Sequence, residues 1–216
     1  FTSNRATNGI GGAIYARSNY VYLFVRDTLF SKNRAYAGGA IALQGSNVIF
    51  TDCEFTTNFA TETSGAIHLA GSQITYFRNT RFMQNYANVG GAMAIATGST
   101  YIDLGCKFIS NSAVYGGAVA TIVGAAKVGM SAYQIKSSSE SNEKDKIEFI
   151  GNTAVEAGGA LHLMTIIQMI DSPRDNPLSS IILVPINEQL FSDLAYQMIL
   201  HKNMVANNHV KNHTVV

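Results

Sequence analysis

The chain has 216 residues, enough for a sizeable core, and is 47% hydrophobic and only 13% charged, with a formal net charge of +1. Nucleic-acid binding draws on clustered Lys and Arg, and no basic cluster or stripe is present, so that class is set aside. No stretch reaches the roughly 18 apolar residues of a membrane-spanning helix, so membrane insertion by this segment is not expected, and no leader pattern is read at Phe1.

The first element is FTSNRA at Phe1, and it returns along the chain as FSKNRA (Phe30), FTTNFA (Phe55), FMQNYA (Phe82), FISNSA (Phe108) and FIGNTA (Phe149). Each copy is followed by a small-residue pair and an alanine: GGAI at Gly11 and Gly38, SGAI at Ser64, GGAM at Gly90, GGAV at Gly116 and GGAL at Gly158. The intervals between these second motifs are 27, 26, 26, 26 and 42 residues, the last being one period plus an insertion. Such a repeat signals a solenoid. The chain opens at Phe1 in the middle of a repeat, which predicts a segment or processed piece of a longer protein.

Between the motifs lie β-branched and aromatic runs: VYLFV from Val21, NVIF from Asn47, QITYF from Gln73 and STYIDL from Ser99. No helical stripe competes with them. With the GGA segment as a second strand and the FxxN segment as a third, the expected fold is all-β: a parallel β-helix with about 26 residues and three short strands per rung. A leucine ladder is missing and the period is too short for propeller blades.

Equivalent residues on successive rungs stack about 4.8 Å apart. This predicts three ladders: an inward stack of Phe30, Phe55, Phe82, Phe108 and Phe149 continuing from Phe1; a small-residue row of Ala35, Ala60, Ala87, Ala113 and Ala154 continuing from Ala6; and a row of Asn33, Asn58, Asn85, Asn111 and Asn152 continuing from Asn4. The asparagines are expected at a turn, in left-handed backbone, with their amides bonded to neighbours above and below and to the turn itself. The glycine pairs supply bends that a side chain would obstruct. Charge is scarce because most positions face the interior or a stacked neighbour.

The paired GGA(I/L/V) and FxxN motifs resemble those of the chlamydial polymorphic outer-membrane proteins and related right-handed β-helix repeats, and similar repeats occur in very large surface proteins of other bacteria and of protists. The resemblance covers residues 1 to about 163. It implies a right-handed, pectin-lyase-like β-helix and an extracellular or cell-surface role as adhesive or scaffold. The chlamydial proteins end in a membrane β-barrel, and no comparable run of alternating strands is present here.

Residues 1–163 are thus read as regular rungs, with a polar loop insertion at about 127–146 that contains KSSSESNEKDK from Lys136. All 19 glycines lie at or before Gly159, and all three prolines (Pro173, Pro177, Pro185) lie after Asp171, so residues 164–216 are read as degenerate rungs or a capping segment. LHKNMVANNHV from Leu200 reads as a worn motif, with Leu200 for Phe, Asn203 for Asn, Val205 for Ala and Asn207–Asn208 for the glycine pair. A helix over 188–201, capped by Asn187, is the rival.

No catalytic residue, cofactor or metal site is assigned. Asp27 and Asp52, each three residues before its Phe, are read as a turn-bonding row rather than a cation site. His68 and His162 share a rung position several rungs apart, and His201, His209 and His213 are assigned to a fraying tail. Cys53 and Cys106, two rungs apart, are expected to be free buried thiols in slots that Thr28 and Thr80 fill elsewhere. The sequon at Asn212 is unassigned. The resulting expectation is a structural segment of a larger surface protein, forming a shaft, filament or adhesive scaffold whose partners are neighbouring rungs of a longer chain or end-to-end copies. The alternative is a carbohydrate-binding or polysaccharide-processing module that meets surface glycans through Tyr15, Tyr20, Tyr22 and Tyr101.

Overall fold

The computed structural model describes residues 1–18, 22–103, 105–122, 126–131, 147–163, 167–170, 204–206 and 209–210. Every strand pairing among them is parallel, and every sheet stacks its strands in sequence order. The FxxN sheet contains Leu29–Ser31, Glu54–Thr56, Arg81–Met83, Lys107–Ile109, Glu148–Ile150 and Met204–Ala206. The GGA sheet contains Ile14–Arg17, Ile41–Gln44, Ile67–Ala70, Met93–Ile95, Val119–Thr121 and Leu161–His162. A third, the return sheet, contains Tyr22–Arg26, Asn47–Thr51, Ser72–Arg78, Gly98–Ile102, Ala126–Ser131 and Ile167–Ile170. The chain is an all-β parallel solenoid with one rung per repeat.

Most of the described rungs add a fourth strand segment to the three expected, and the rung from Arg81 keeps three strands with isolated bridges in the fourth place. The residues after the ladder asparagine form their own row, the NxA sheet: Arg34–Ala37, Phe59–Thr63, Ser112–Tyr115, Thr153–Ala157 and His209–Val210. Bridges from Phe59 and Ser112 to Tyr86, and from Thr63 and Tyr115 to Val89, carry it across the middle rung. The sequence hides this strand because it is separated from the FxxN strand by a single corner.

Left-handed residues make the corners. Between the FxxN and NxA sheets they are Ser3, Lys32, Thr57, Gln84, Ser110 and Gly151, with φ of 59°, 55°, 53°, 54°, 54° and 62°. These are the residues before each ladder asparagine, so the expectation of a left-handed asparagine is corrected: the asparagine sits just past the corner, where its amide reaches along the solenoid axis. The second corner falls on the first glycine of each pair or on Ser64, and Asp27, Asp52, Asn79 and Gly105 make the corner before the FxxN sheet. The second glycine has a different reason to be glycine. A Cβ on Gly91 would stand 2.1 Å from the Gly117 carbonyl oxygen on the next rung, and Gly12, Gly39, Gly65 and Gly117 repeat that approach.

The core lies between the sheets. Phe30, Phe55, Phe82, Phe108 and Phe149 are fully buried and stack with ring centroids 4.7 to 5.0 Å apart. Phe50 and Phe77 on the return sheet form a second stacked pair at 5.0 Å and meet Phe55 and Phe82 edge to face at 5.6 and 5.5 Å. Ile41, Leu43, Ile67, Leu69, Met93, Ile95 and Val119 close the GGA side. Burying each Phe contributes about 2–3 kcal/mol, and each stacked contact adds about 1.

Two boundaries shift. The polar insertion does not begin at 127: Ala126–Ser131 is a return strand in register with Gly98–Ile102, and its alternation of Lys127, Gly129 and Ser131 with Val128 and Met130 is a strand pattern. Near the C-terminus, Met204–Ala206 and His209–Val210 continue the FxxN and NxA sheets, in a register other than the one expected. Val205 pairs with Phe149 and Val210 with Ala154, so the copy reads V-x-x-N-x-V from Val205 and Asn208, not Asn203, matches the ladder position in sequence. Leu200, Asn203, Asn207, Asn208 and the 188–201 segment lie outside the described residues.

Three stability outcomes follow, each read by chemical denaturation. Phe82→Ala costs about 3–5 kcal/mol by opening a cavity between two stacked rings. Gly91→Ala costs several kcal/mol because the obstacle is backbone, whereas Gly71→Ala, whose Cβ meets nothing closer than 3.7 Å, costs only the left-handed penalty of about 1–2 kcal/mol. Thr75→Val stabilises by about 1 kcal/mol: the Thr75 hydroxyl is buried without a hydrogen-bond partner, and the same position on the preceding rung is Val48.

Candidate functional site

The ladder asparagines form one continuous hydrogen-bonded column. The backbone N–H and the side-chain Nδ2 of Asn58 both donate to Asn85 Oδ1, at 3.0 Å each, and Nδ2 also donates to the Phe30 carbonyl at 2.9 Å. Asn58 Oδ1 in turn accepts both corresponding donors of Asn33 at 3.0 and 2.9 Å. Asn33, Asn85 and Asn111 repeat the set, Asn4 donates into the top of the column, and Asn152 receives Asn111 and donates to Phe108. In the interior members both side-chain donors and two acceptor sites are used, and all five from Asn33 to Asn152 are buried. These side-chain bonds run to neighbouring rungs, so the amide locks rung to rung. It also ties the asparagine column to the phenylalanine column through the Phe carbonyls. Beside it, Ala35, Ala60, Ala87, Ala113 and Ala154 form a buried row of small residues.

The other chemically capable residues fall into separate places. Asp27 and Asp52 occupy the same corner on adjacent rungs. Arg26 Nε lies 3.3 Å from Asp27 and 3.8 Å from Asp52, and Asn79 Nδ2 donates to Asp52 at 2.5 Å. Asp103 accepts the Tyr76 hydroxyl, and desolvation followed by that hydrogen bond pushes the Tyr76 pKa up. The two cysteines are unpaired and buried. Cys53 Sγ donates to the Thr51 carbonyl two residues back, as Thr28 and Thr80 hydroxyls do to Arg26 and Arg78, so thiol and hydroxyl fill one slot by one bond. Burial raises both thiols, Cys106 to about 12, which leaves neither poised as a nucleophile.

His68 is the one histidine drawn into a cluster among the described residues. Its Nδ1 lies 3.1 Å from the Thr63 hydroxyl and 3.3 Å from the Ser64 hydroxyl, whose Oγ also accepts the Ala94 N–H at 3.0 Å. Ser64 stands where the other five copies have glycine, and His68 where neighbouring rungs have Ala42 and Ala94, so the two exceptions occur together and bond each other. Ser64 is fully buried, so this is a plug in the rung wall rather than an exposed nucleophile. Sequence reading singled out His68 but missed its partner; the break in the glycine pattern four residues earlier was the available signal. His162 occupies the same row three steps away, about 14 Å, against Tyr115. His209 lies in the strand paired with Thr153, while His201, His213 and Asn212 lie outside the described residues.

Desolvation lowers the His68 pKa below its ordinary 6.5. Because the folded state binds this proton less readily than the unfolded chain, stability is lost as pH falls below about 6.5 toward the folded value. His68→Ala, the residue of the neighbouring rungs, removes that acid-side slope in denaturation midpoints measured between pH 7 and 5. Asn85→Asp behaves in the opposite sense. It deletes two buried donors and introduces an acid whose charge is desolvated, so at pH 7 it costs about 3 kcal/mol or more, and the loss shrinks toward pH 4 as the carboxyl protonates.

Residues 27–44 match the family model of the Chlamydia polymorphic membrane protein repeat. The matched stretch holds one complete pair of motifs, Phe30, Asn33, Ala35 and the Gly38–Gly39–Ala40 turn, and its strands belong to the parallel solenoid. The chain therefore carries a repeat of that type. No curated protein and no solved structure matches it.

Proposed function

We propose that the chain is a structural segment of a larger extracellular or cell-surface protein, a stacked shaft that holds adhesive or other parts away from the surface. The observation that carries this reading is the ladder itself. From Phe30 to Ala154 the Phe, Asn and Ala rows run through five successive rungs, buried and stacked or hydrogen-bonded, and the matched repeat is one of a membrane protein family. Such rows are spent on rung-to-rung cohesion. Neighbouring rungs of the parent chain, or copies stacked end to end, are the partners this chemistry suits, because each rung presents the same strand edges and the same amide dipole to the next.

The corner acids support the same reading. Asp27 and Asp52 are engaged by Arg26 and Asn79 in the geometry of a turn. Of the tyrosines considered as sugar platforms, Tyr15 donates its hydroxyl to Gln44, Tyr22 is exposed on the return sheet, Tyr101 is partly covered, and Tyr20 lies outside the described residues.

Two measurements on the native parent protein test the proposal. Protease shaving of intact cells, with antibody to this segment, is expected to release it from outside. Electron microscopy of purified material is expected to show a rod lengthening by about 4.8 Å per repeat. Retention of the segment inside shaved cells, or a compact particle with no rod, sinks the reading.

A further inference from the structure

The first rung carries a reactive pair that the ladders do not use, Asn8–Gly9. Among the 18 asparagines of the chain, Asn8 alone precedes a glycine. The pair sits in the link between Ala6 and Gly11, which holds four residues where the other copies hold two or three. Bridges pin this link at both ends, Arg5 to Arg34 and Ile10 to Ala37, so the surplus residues form a bulge, and Thr7, Asn8 and Gly9 are exposed. Among the described residues no hydrogen bond reaches the Asn8 side chain or the Gly9 N–H, while the Gly9 carbonyl accepts the Tyr36 N–H at 2.9 Å.

An asparagine followed by glycine can close on itself. The backbone nitrogen of the glycine attacks the side-chain carbonyl carbon, the side-chain amide leaves as ammonia, and a five-membered succinimide ring forms. Water then opens the ring at either carbonyl, giving aspartate or isoaspartate, the latter with the main chain routed through the former side chain. The balance needs only water: amide plus water becomes carboxylate plus ammonium. Attack requires a backbone that can turn, no Cβ beside the nitrogen, and reacting groups that are not held elsewhere. Asn8–Gly9 meets all three conditions and the ladder asparagines meet none. They are buried, their amides are bonded to neighbouring rungs, and a residue with a side chain follows each. The N–H that would attack is also engaged there, as Phe59 N–H is by the Asn33 carbonyl at 2.9 Å and Ser112 N–H by the Asn85 carbonyl at 3.0 Å.

We propose that Asn8–Gly9 is a self-modification site: it converts with time to aspartate and isoaspartate, placing a permanent negative charge on the bulge while the ladder asparagines stay intact. The formal net charge of +1 is thereby cancelled. Arg5 and Arg34 of the same sheet are exposed, and among the described residues no ion pair reaches either. The Arg34 guanidinium is held over the Phe59 ring, its Cζ 4.3 Å from the centroid, and Phe59 stacks on Tyr86 at 5.4 Å. Arg5, on the same rung as Asn8, is therefore the cation that a new carboxylate there recruits. Isoaspartate adds one atom to the main chain, and a link already two residues longer than that of the next rung absorbs it, so the rows on either side keep their register. The inference goes beyond the scaffold reading and does not depend on it.

The test is ageing of the 216-residue chain in warm, mildly alkaline buffer made with heavy-oxygen water, followed by peptide mass mapping. The peptide holding Asn8 is expected to take up one heavy oxygen and to separate into aspartate and isoaspartate forms, with the circular dichroism of the chain unchanged. Asn8 converts in the folded chain as fast as in the chain unfolded by guanidinium, whereas Asn33, Asn58, Asn85, Asn111 and Asn152 convert only after unfolding. Gly9→Ala slows the conversion about tenfold by hindering the attacking nitrogen. That variant folds as the parent does, because a Cβ on Gly9 meets nothing closer than Ala6 at 3.6 Å. An unchanged Asn8, aspartate without isoaspartate, equal ageing of Gly9→Ala, a folded rate far below the unfolded one, or loss of circular dichroism on conversion overturns the proposal.

Discussion

The structure depends on one distance, the spacing of about 4.8 Å between parallel strands in register. That spacing suits a phenylalanine ring lying flat on the next, and it suits a side-chain amide handing both of its N–H groups to the amide above and to a carbonyl below. Backbone ladders, ring stack and amide column therefore repeat together, and a residue that serves one rung serves all of them. Charge is poorly tolerated for the same reason, because a charged residue repeated at one position meets its own kind on both sides. The half-buried Lys107 and the buried Glu148, 2.7 Å apart on adjacent rungs, place opposite signs on consecutive strands.

Corners impose the complementary constraint. Each sheet ends at a left-handed residue, and the positions next to it are fixed by what the turn leaves room for. The first residue of the small pair tolerates serine when the hydroxyl finds partners, as Ser64 does with Ala94 and His68, while the second is glycine throughout because the next rung's carbonyl occupies the space of a Cβ. In this rung the exception at Ser64 is matched by His68 in the row it touches. Threonine and cysteine alternate in the slot before the phenylalanine because both donate to the same carbonyl, not because the thiol has chemistry to perform.

Since the interior is consumed by cohesion, variation between rungs falls to the outside. Side chains there are free of the stacking rule except where they stack on purpose, as Arg34, Phe59 and Tyr86 do. The solenoid gives such a surface column its straightness and its regular step.

What the sequence by itself determined is everything that recurs: the period, the parallel solenoid, the phenylalanine, asparagine and alanine rows, and the free cysteines, because a row repeated six times is visible without coordinates. Only the tertiary structure decided what does not recur or lies across a corner. It separated the NxA strand from the FxxN strand, moved the left-handed residue from the asparagine to its predecessor, and set the C-terminal register on Val205. It also found Phe50 and Phe77, which share a row with Val25 and Ile102 and so leave no motif. The Ser64–His68 plug and the Arg34–Phe59–Tyr86 column were hidden likewise, for they are contacts between rows of different residues. Periodicity reports which residues are equivalent; which residues touch is settled by the chain closing on itself at each corner.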